Sequence, residues 1–215
     1  MYRLAIFDLD GTILDTLDDL AASINYALAQ ADFPTRTTSE VKSFVGNGIR
    51  RLVELSVPES ATSQNADSVY ETFTAHYKQH CADNTKPYIG VIQLLADLRA
   101  QGYLTAVVSN KADFAVQELC AQYFGGLFDA AIGEREGIRR KPYPDSVEEV
   151  LHRLAVSRAE AVYIGDSEVD IATARNAGMD CIIVDWGFRE REYLREMGAS
   201  EIVSSCDELF ARLVP

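Results

Sequence analysis

Short apolar runs rich in Ile, Val and Ala alternate along the chain with longer segments whose apolar residues are spaced by three and four. The runs predict strands and the longer segments predict helices. Alternation of this kind favours an α/β fold with a doubly wound parallel sheet. The predicted strands are residues 3–7, 104–108, 130–132, 161–164 and 181–184. The predicted helices of this layer are residues 91–100, 114–123, 145–154, 170–177 and 190–197.

The stretch between the first two predicted strands is much longer than one crossover helix requires. Its pattern is almost entirely helical over residues 16–82, with breaks near Pro34 and Pro58. It predicts an inserted helical domain at residues 15–82 and an α/β core built from residues 1–14 and 83–215. The helices expected in the insert are residues 17–31, 40–45, 49–56 and 66–81. Asp15 precedes the first of them and is interpreted as its cap.

Composition narrows the classes of partner. The 215-residue chain has a net charge of -13, which disfavours nucleic acid and anionic membrane surfaces. A protein this acidic needs a local cation to bind an anionic substrate. The cysteines contain no C-x-x-C pair, which argues against disulfides and a zinc site and favours a reducing, cytoplasmic setting. No apolar stretch has the length of a membrane span, and the apolar start is too short for a signal peptide.

Candidate chemistry is concentrated where the predicted strands end, which is where ligands bind in doubly wound sheets. The first strand runs into Asp8-Leu9-Asp10-Gly11-Thr12, so two carboxylates lie two residues apart at a turn. Taken alone, this segment fits an ordinary Asp-Gly turn equally well.

Three further segments follow the same rule. Ser109-Asn110-Lys111 offers a hydroxyl and backbone N–H groups to phosphate oxygens, or a helix cap. Lys141 is followed by Pro142-Tyr143-Pro144, which would hold a cation in place, although a surface lysine beside a turn has the same pattern. The segment from Gly165 to Asp170 carries another pair of acids, of which Asp166 or Ser167 would also suit a helix cap. Four such segments in this order favour one shared site.

The segments D-x-D-G-T, S-N, K-P and G-D-S-x-x-D resemble the four ordered motifs of the haloacid dehalogenase superfamily. The resemblance extends from Asp8 to Asp170 and implies a Rossmann-like core with a mobile helical cap inserted after the first motif. Within the superfamily the chain is most similar to the phosphoglycolate phosphatase branch. That likeness also includes the insert segment V-G-N-G-I-R-R-L at residues 45–52 and the small residues Ala174, Ala177 and Gly178.

The resemblance implies a role for each motif. Asp8 would attack phosphorus and form an aspartyl phosphate, and Asp10 would protonate the leaving alcohol and then activate water. Mg²⁺ would be held by Asp8, Asp166 and the backbone carbonyl of Asp10. The remaining implied roles are phosphoryl binding by Lys141, Ser109 and Asn110 and substrate binding by Thr12. Asp170 would orient Lys141 or a metal-bound water without binding the metal itself, and Ser167 would lie beside it outside the metal ligands.

The insert carries a second set of candidates. Gly46 and Asn47 lie beside Arg50 and Arg51, and one arginine, assigned to Arg50, is expected to bind a substrate carboxylate. A solvated helix face explains the arginines equally well. His76 and His80 are spaced like metal ligands but have no glutamate between them, so they are interpreted as part of a helix face.

The expected function is hydrolysis of small phosphomonoesters, with phosphoglycolate the leading substrate and a cap that closes to exclude water. The protein would be a monomer or homodimer that binds a small phosphorylated metabolite, without nucleic acid or membrane partners. A phosphosugar mutase, a pyrophosphatase or nucleotidase, and a binding domain without turnover are the alternatives. Carbon–halogen cleavage is disfavoured because the dehalogenases lack an acid at the position of Asp10.

Overall fold

The computed structural model describes residues 2–214 and divides into two compact units. One unit contains the chain up to Leu14 and from Pro87 onward, and the other is Asp15–Lys86. The return to the first unit therefore falls at Lys86–Pro87, close to the expected boundary after residue 82. The strands are β1 Leu4–Phe7, β2 Leu14–Asp15, β3 Lys86–Pro87, β4 Leu104–Ala112, β5 Ala130–Glu134, β6 Ala161–Gly165, β7 Asp180–Val184 and β8 Ile202–Val203.

The unit Asp15–Lys86 is helical. Its helices are α1 Leu17–Gln30, α2 Thr38–Phe44, α3 Gly48–Ser56 and α4 Ser63–His80. Capping boxes start α2 at Thr37 and α4 at Thr62, where each threonine side chain accepts a backbone N–H of the first turn. Phe73 and Tyr77 of α4 are fully buried, so this unit has an apolar core of its own.

The interpretation of Asp15 as a helix cap is wrong. Asp15 belongs to β2, the N-cap position of α1 is Thr16, and no side-chain cap bond is made there. The acid with structural contacts is Asp19, in the first turn of α1 and only 1% exposed. Its carboxylate accepts hydrogen bonds from the backbone N–H groups of Asn84 and Thr85 and from both side chains, at 2.8 to 3.0 Å. The first and last segments of the helical unit are thus joined through one buried carboxylate.

The other unit is the predicted doubly wound α/β layer, and this fold class is confirmed. Six parallel strands are arranged in the order β5-β4-β1-β6-β7-β8, with Leu4 of β1 opposite Leu104 of β4 and Ala161 of β6. Every residue of β1 and β6 is buried, as expected for central strands covered on both faces. The flanking helices are α5 Val91–Ala100, α6 Asp113–Phe124, α7 Asp145–Leu154, α8 Glu168–Ala177, α9 Arg191–Glu196 and α10 Cys206–Leu213.

The order of the strands changes side at β1, because β4 and β5 extend the parallel sheet on one side of it while β6, β7 and β8 extend it on the other. The carboxyl ends of β1, β4 and β6 therefore meet at the switch point of the sheet, where such folds bind ligands. All four sequence motifs belong to this unit.

Several details differ from the sequence-based expectation, and the two-residue strands β2 and β3 are among the elements that were not predicted. Residues 109–111, expected in a turn, belong to β4, whose register against β5 shifts between Val108 and Ala112. The C-terminal pair β8 and α10 was not predicted, because both elements are short, with two and eight residues.

The four cysteines are free thiols. Among residues 2–214, no helix combines the length and the apolar character that a bilayer span requires.

Candidate active site

The first motif is a tight turn that follows β1. The Asp8 N–H still pairs with the Ile164 carbonyl of β6 at 2.8 Å, whereas the Leu9 carbonyl receives the N–H groups of Thr12, Ile13 and Leu14 at 3.0 to 3.3 Å. This turn places the carboxyl groups of Asp8 and Asp10 at the end of the central strand. The sequence pattern of two acids before a glycine has therefore formed both a turn and a site.

Asp8 is buried in the unit that carries the motifs, with 7% of its surface exposed. One carboxylate oxygen, Oδ1, accepts the Leu9 N–H at 2.7 Å and lies 2.9 Å from Lys141 Nζ. Burial raises the pKa of Asp8 to about 6, while the Lys141 ammonium acts in the opposite direction. The contact with the Lys141 ammonium favours the ionised carboxylate, which is the form that a nucleophile requires.

Lys141 is a buried cation held between two carboxylates. Its Nζ lies 2.9 Å from Asp8 and 2.8 Å from Asp170, and it donates to the Tyr163 hydroxyl at 3.1 Å. Burial alone would favour the neutral amine, but the charges of Asp170 and Asp8 prevail and raise the pKa of Lys141. The Asn110 side chain fixes the backbone of Lys141, accepting its N–H at 2.8 Å and donating to its carbonyl at 3.1 Å.

Asp166 follows β6 and faces the first motif. Its Oδ1 accepts the Thr12 hydroxyl at 3.2 Å, and its Oδ2 accepts the Phe188 N–H at 2.7 Å. Burial, together with the charges of Asp170 and Asp8, raises the pKa of Asp166 well above its usual range. A Cβ atom on Gly187 would lie 2.4 Å from Asp166 Oδ2, so this approach requires glycine.

Asp170 lies in the first turn of α8 and orients its neighbours. Its Oδ2 accepts the Ser167 hydroxyl at 2.6 Å and the Ser167 N–H at 3.1 Å, while its Oδ1 receives Lys141. Both oxygens are therefore engaged by protein donors. This arrangement is the one expected of a residue that fixes Lys141 from behind, and Ser167 fixes Asp170 in turn.

The second motif adds a residue for which the sequence reasoning assigned no role. Lys111 Nζ lies 2.8 Å from Asp10 Oδ1, and the lysine side chain is only 2% exposed. Ser109 is buried and its hydroxyl accepts the Lys111 N–H at 3.3 Å. Asp8 and Asp10 thus have one lysine each.

The carboxylates fit a hard divalent cation. Asp8, Asp166 and Asp170 each offer an oxygen, and these oxygens lie within 4.8 Å of one another. Burial is the main reason that the pKa values of Asp8 and Asp166 are raised, and repulsion by neighbouring carboxylates adds to it. An all-oxygen donor set is the kind that Mg²⁺ prefers.

Other residues missed by the sequence reasoning support the motifs. Tyr163 is buried in β6 with its hydroxyl 3.2 Å from the Val108 carbonyl and 3.3 Å from Asp170. Trp186 donates its ring N–H to the Thr12 carbonyl at 3.0 Å. A tyrosine inside an otherwise apolar strand is the one signal that could have found Tyr163, because its hydroxyl needs a buried partner.

The candidates of the insert lie around the start of α3. Asn47 is its N-cap residue and makes no side-chain cap bond. Arg50 is paired within its own unit, 2.5 Å from Asp67 and 3.5 Å from Glu54, and it lies over the Tyr70 ring at 5.5 Å. Its expected role in binding a substrate carboxylate, and those of Gly46 and Asn47, remain predictions.

The motif geometry agrees with what the chain is similar to. Residues 5–184 match the model of the haloacid dehalogenase-like hydrolases. The chain belongs to this family. The match covers most of the core and the whole insert, and it confirms the resemblance derived from the four motifs.

Individual relatives narrow the branch. The chain is 32% identical over 214 residues to a phosphoglycolate phosphatase of Mesorhizobium japonicum, covering 97% of this chain and 93% of that protein. It is 32% identical over 203 residues to the enzyme of the same name from Caulobacter vibrioides, with 93% and 85% covered. A crystal structure of a provisionally assigned phosphoglycolate phosphatase from Lactobacillus delbrueckii subsp. bulgaricus has 41% identity and a TM-score of 0.94, covering 99% of this chain and 98% of that one. The predicted class, a phosphoric monoester hydrolase of the phosphoglycolate phosphatase-like branch, is confirmed.

Proposed function

We propose that this protein is a Mg²⁺-dependent phosphatase that hydrolyses small phosphomonoesters through an aspartyl phosphate on Asp8, with phosphoglycolate as the leading substrate. One observation carries the proposal: the buried Asp8 carboxylate lies 2.9 Å from the Lys141 ammonium and forms, with Asp166 and Asp170, a cluster of carboxylates within 4.8 Å. The substrate follows from the names of the relatives, all of which match most of the chain. A small phosphorylated metabolite is accordingly the proposed partner, and the cytoplasmic setting remains a prediction.

In the first step, an Asp8 carboxylate oxygen attacks phosphorus and the bond from phosphorus to the alcohol oxygen breaks. Asp10 gives its proton to the departing alcohol. Lys141 and the backbone N–H groups near Ser109 and Asn110 stabilise the negative charge on the phosphoryl oxygens. The Asn110 side chain serves this step indirectly, since both of its polar atoms contact the Lys141 backbone.

In the second step, Asp10 takes a proton from water, and the resulting hydroxide attacks the phosphorus of the Asp8 aspartyl phosphate. The acyl-phosphate bond breaks, inorganic phosphate leaves, and Asp8 returns as a carboxylate while Asp10 is again protonated. The same side chain therefore serves as acid and then as base, so no net proton is lost from the site.

Asp8, Asp166 and the Asp10 backbone carbonyl are the groups proposed to hold Mg²⁺, with Asp170 fixing Lys141 beside them. When bound, the ion would neutralise the crowded carboxylates and the substrate phosphate. Thr12 and Phe188 hold Asp166 in place through the two oxygens of its carboxylate.

A phosphate-release assay tests the proposal. Phosphoglycolate, glycerol 3-phosphate, a hexose phosphate, pyrophosphate and a nucleoside monophosphate are compared with and without Mg²⁺. We expect Mg²⁺-dependent release, greatest for phosphoglycolate, and a loss of about 10⁴-fold or more in kcat for Asp8→Asn and Asp10→Asn. Circular dichroism should show that both variants keep the fold.

The assay also separates the alternatives. Transfer of the phosphoryl group to a second sugar without phosphate release indicates a mutase, and release only from pyrophosphate or the nucleotide indicates those activities. An Asp8→Asn protein with full activity rules out the covalent mechanism.

A further inference from the structure

A second buried lysine lies beside the motifs. Lys111 Nζ is 2.8 Å from Asp10 Oδ1, with 2% of the lysine side chain and 14% of the aspartate side chain exposed. Moving an ammonium out of water costs several kcal/mol unless a partner compensates it. The Asp10 carboxylate supplies that compensation, so the position of each side chain depends on the other.

The backbone fixes Lys111 at this place. The register of β4 against β5 shifts between Val108 and Ala112, so residues 109–111 leave the regular ladder. Gly133 of β5 approaches so closely that a Cβ atom there would lie 2.7 Å from the Lys111 carbonyl oxygen. The Gly133 N–H also donates to Asp113 Oδ1 at 2.8 Å. Gly133 of β5 therefore holds the irregular end of β4 at Lys111 and just after it.

Each of the two lysines pairs with a different aspartate of the first motif. Lys141 contacts Asp8 at 2.9 Å and Lys111 contacts Asp10 at 2.8 Å. The two carboxyl groups lie two residues apart, and a separate partner for each holds it in its own direction. Such a division suits a nucleophile and a proton donor that must not exchange roles.

The contact also assigns a task to each oxygen of Asp10. An ammonium group has hydrogen-bond donors only, so the oxygen facing Lys111 has to be an acceptor. Oδ1 is thus engaged as an acceptor by Lys111 at 2.8 Å, which makes Oδ2 the oxygen that would face the leaving alcohol.

We propose that Lys111 is a positioning residue that holds Asp10 Oδ1 and so directs Oδ2 to the leaving alcohol. This inference rests on the proposed phosphatase function and deepens it. Lys111 acts through Asp10 rather than on the substrate, which separates its role from that of Lys141.

The test compares leaving groups, because an alkoxide needs a proton to depart and 4-nitrophenolate does not. The kcat/KM for ethyl phosphate, phosphoglycolate and 4-nitrophenyl phosphate is measured for the wild type, Lys111→Met and Lys111→Arg, with Mg²⁺. We expect Lys111→Met to lose about 10- to 100-fold on both alkyl esters and less than about 3-fold on the aryl ester, since general acid catalysis contributes at least that much. Lys111→Arg restores the cation and should recover part of the loss.

Arg99→Met is the matched control. Arg99 pairs with Asp129 at 2.9 Å in the same unit, near the start of β4, where Asp129 accepts the Thr105 N–H. Arg99→Met removes a partly buried ion pair near the amino end of β4, whereas the motifs lie at the carboxyl ends of the strands. The kcat/KM of this variant should match the wild type for all three esters.

Several results would overturn the proposal. An equal loss on alkyl and aryl esters makes Lys111 a structural or phosphate-binding residue, and a loss confined to phosphoglycolate makes it a carboxylate-binding residue. If Lys111→Met does not fold, Lys111→Gln replaces it, and failure of both to fold also refutes a positioning role. Absence of turnover by the wild type on every ester contradicts the phosphatase function instead.

Discussion

At the scale of single residues, the site depends on a few close approaches that only glycine allows. A Cβ atom on Gly11 would lie 2.3 Å from Asp166 Oδ2, and Gly11 also has a positive φ of +85°. The residue therefore brings the first and fourth motifs together in addition to making a turn. Asp166 could not keep its bond from Thr12 if this contact were pushed apart.

Gly102 offers a matched control for Gly11, because its φ is +82° and nothing lies within 4 Å of its missing Cβ. Both alanine substitutions cost about 1 kcal/mol for the left-handed backbone. Only Gly11→Ala should also displace Asp166, so we expect at least about a tenfold loss of kcat/KM there and none for Gly102→Ala. Urea unfolding and the phosphate-release assay measure the two effects. Equal activity of the two variants would contradict the proposed importance of this contact.

At the scale of elements, the ends of strands and helices are fixed by buried polar pairs rather than by apolar packing alone. The irregular end of β4 carries Ser109, Asn110 and Lys111, all buried. The start of α8 is built by Ser167 and Asp170, which satisfy each other and the first-turn N–H groups. Each terminus thus serves the local structure and the site together.

The helical unit contains a comparable buried pair at Asp19, and its removal is predicted to destabilise the unit. Asp19→Asn retains one acceptor oxygen but points an amide N–H₂ at donors that include backbone N–H groups, so we expect a loss of about 1–3 kcal/mol in the free energy of unfolding. Asp18, which the structure places on the same first turn of α1, gives the control Asp18→Asn, expected to change stability by less than about 0.5 kcal/mol. Urea unfolding at pH 7 measures both.

The pH dependence of this pair has a definite sign. Although burial acts against it, the hydrogen bonds from Asn84 and Thr85 lower the pKa of Asp19 in the folded protein. Its stabilisation is therefore complete above the unfolded value of about 3.9 and is lost as the pH falls through the lower folded value. The stability gap between the wild type and Asp19→Asn should shrink below about pH 4. A gap that stays constant down to pH 2 would rule out the carboxylate as its source.

At the scale of the whole molecule, a chain of net charge -13 can bind an anionic substrate only where positive charge is gathered locally. Lys141 and Lys111 each pair with one aspartate of the first motif. The carboxylate oxygens of Asp8, Asp166 and Asp170 lie close enough together for one divalent ion to bind them and balance the remaining negative charge. The two-lysine arrangement therefore compensates the acids locally, without changing the overall charge.

Magnesium and protons should compete for these carboxylates. In the metal-free protein, burial raises the pKa of Asp8 to about 6. The folded state therefore binds a proton that the unfolded chain releases near pH 3.9, and this contribution to stability is lost as the pH rises through about 6. Mg²⁺ binds the ionised form. We expect the rise in Tm on adding Mg²⁺ to be large at pH 8 and small at pH 5.

Asp166→Asn removes a proposed Mg²⁺ ligand and serves as the comparison. Its Tm should respond little to Mg²⁺ at either pH, and the difference is read by thermal unfolding without any substrate. An equal Mg²⁺ response at pH 5 and pH 8 in the wild type would contradict competition by protons at these acids.

Much of this molecule follows from local patterns. Apolar runs located five of the strands, although not with their observed bounds, since burial in a covered sheet demands those residue types. Helical spacing predicted α5 and α7 with their observed bounds. The strand-end acids, the isolated lysine before proline and the hydroxyl segment likewise indicated the family, because a phosphoryl site needs those groups at the carboxyl ends of parallel strands.

Other features depend on contacts between residues far apart in the chain, and only the tertiary structure decided them. Lys111 reaches Asp10 because β4 changes register, Asn110 binds the Lys141 backbone, and Asp19, not Asp15, is the important acid of α1. No local spacing encodes such pairs, since each is set by where two separate segments meet. Periodicity fixes which side chains are buried, whereas the partner of a buried polar group is chosen by the fold.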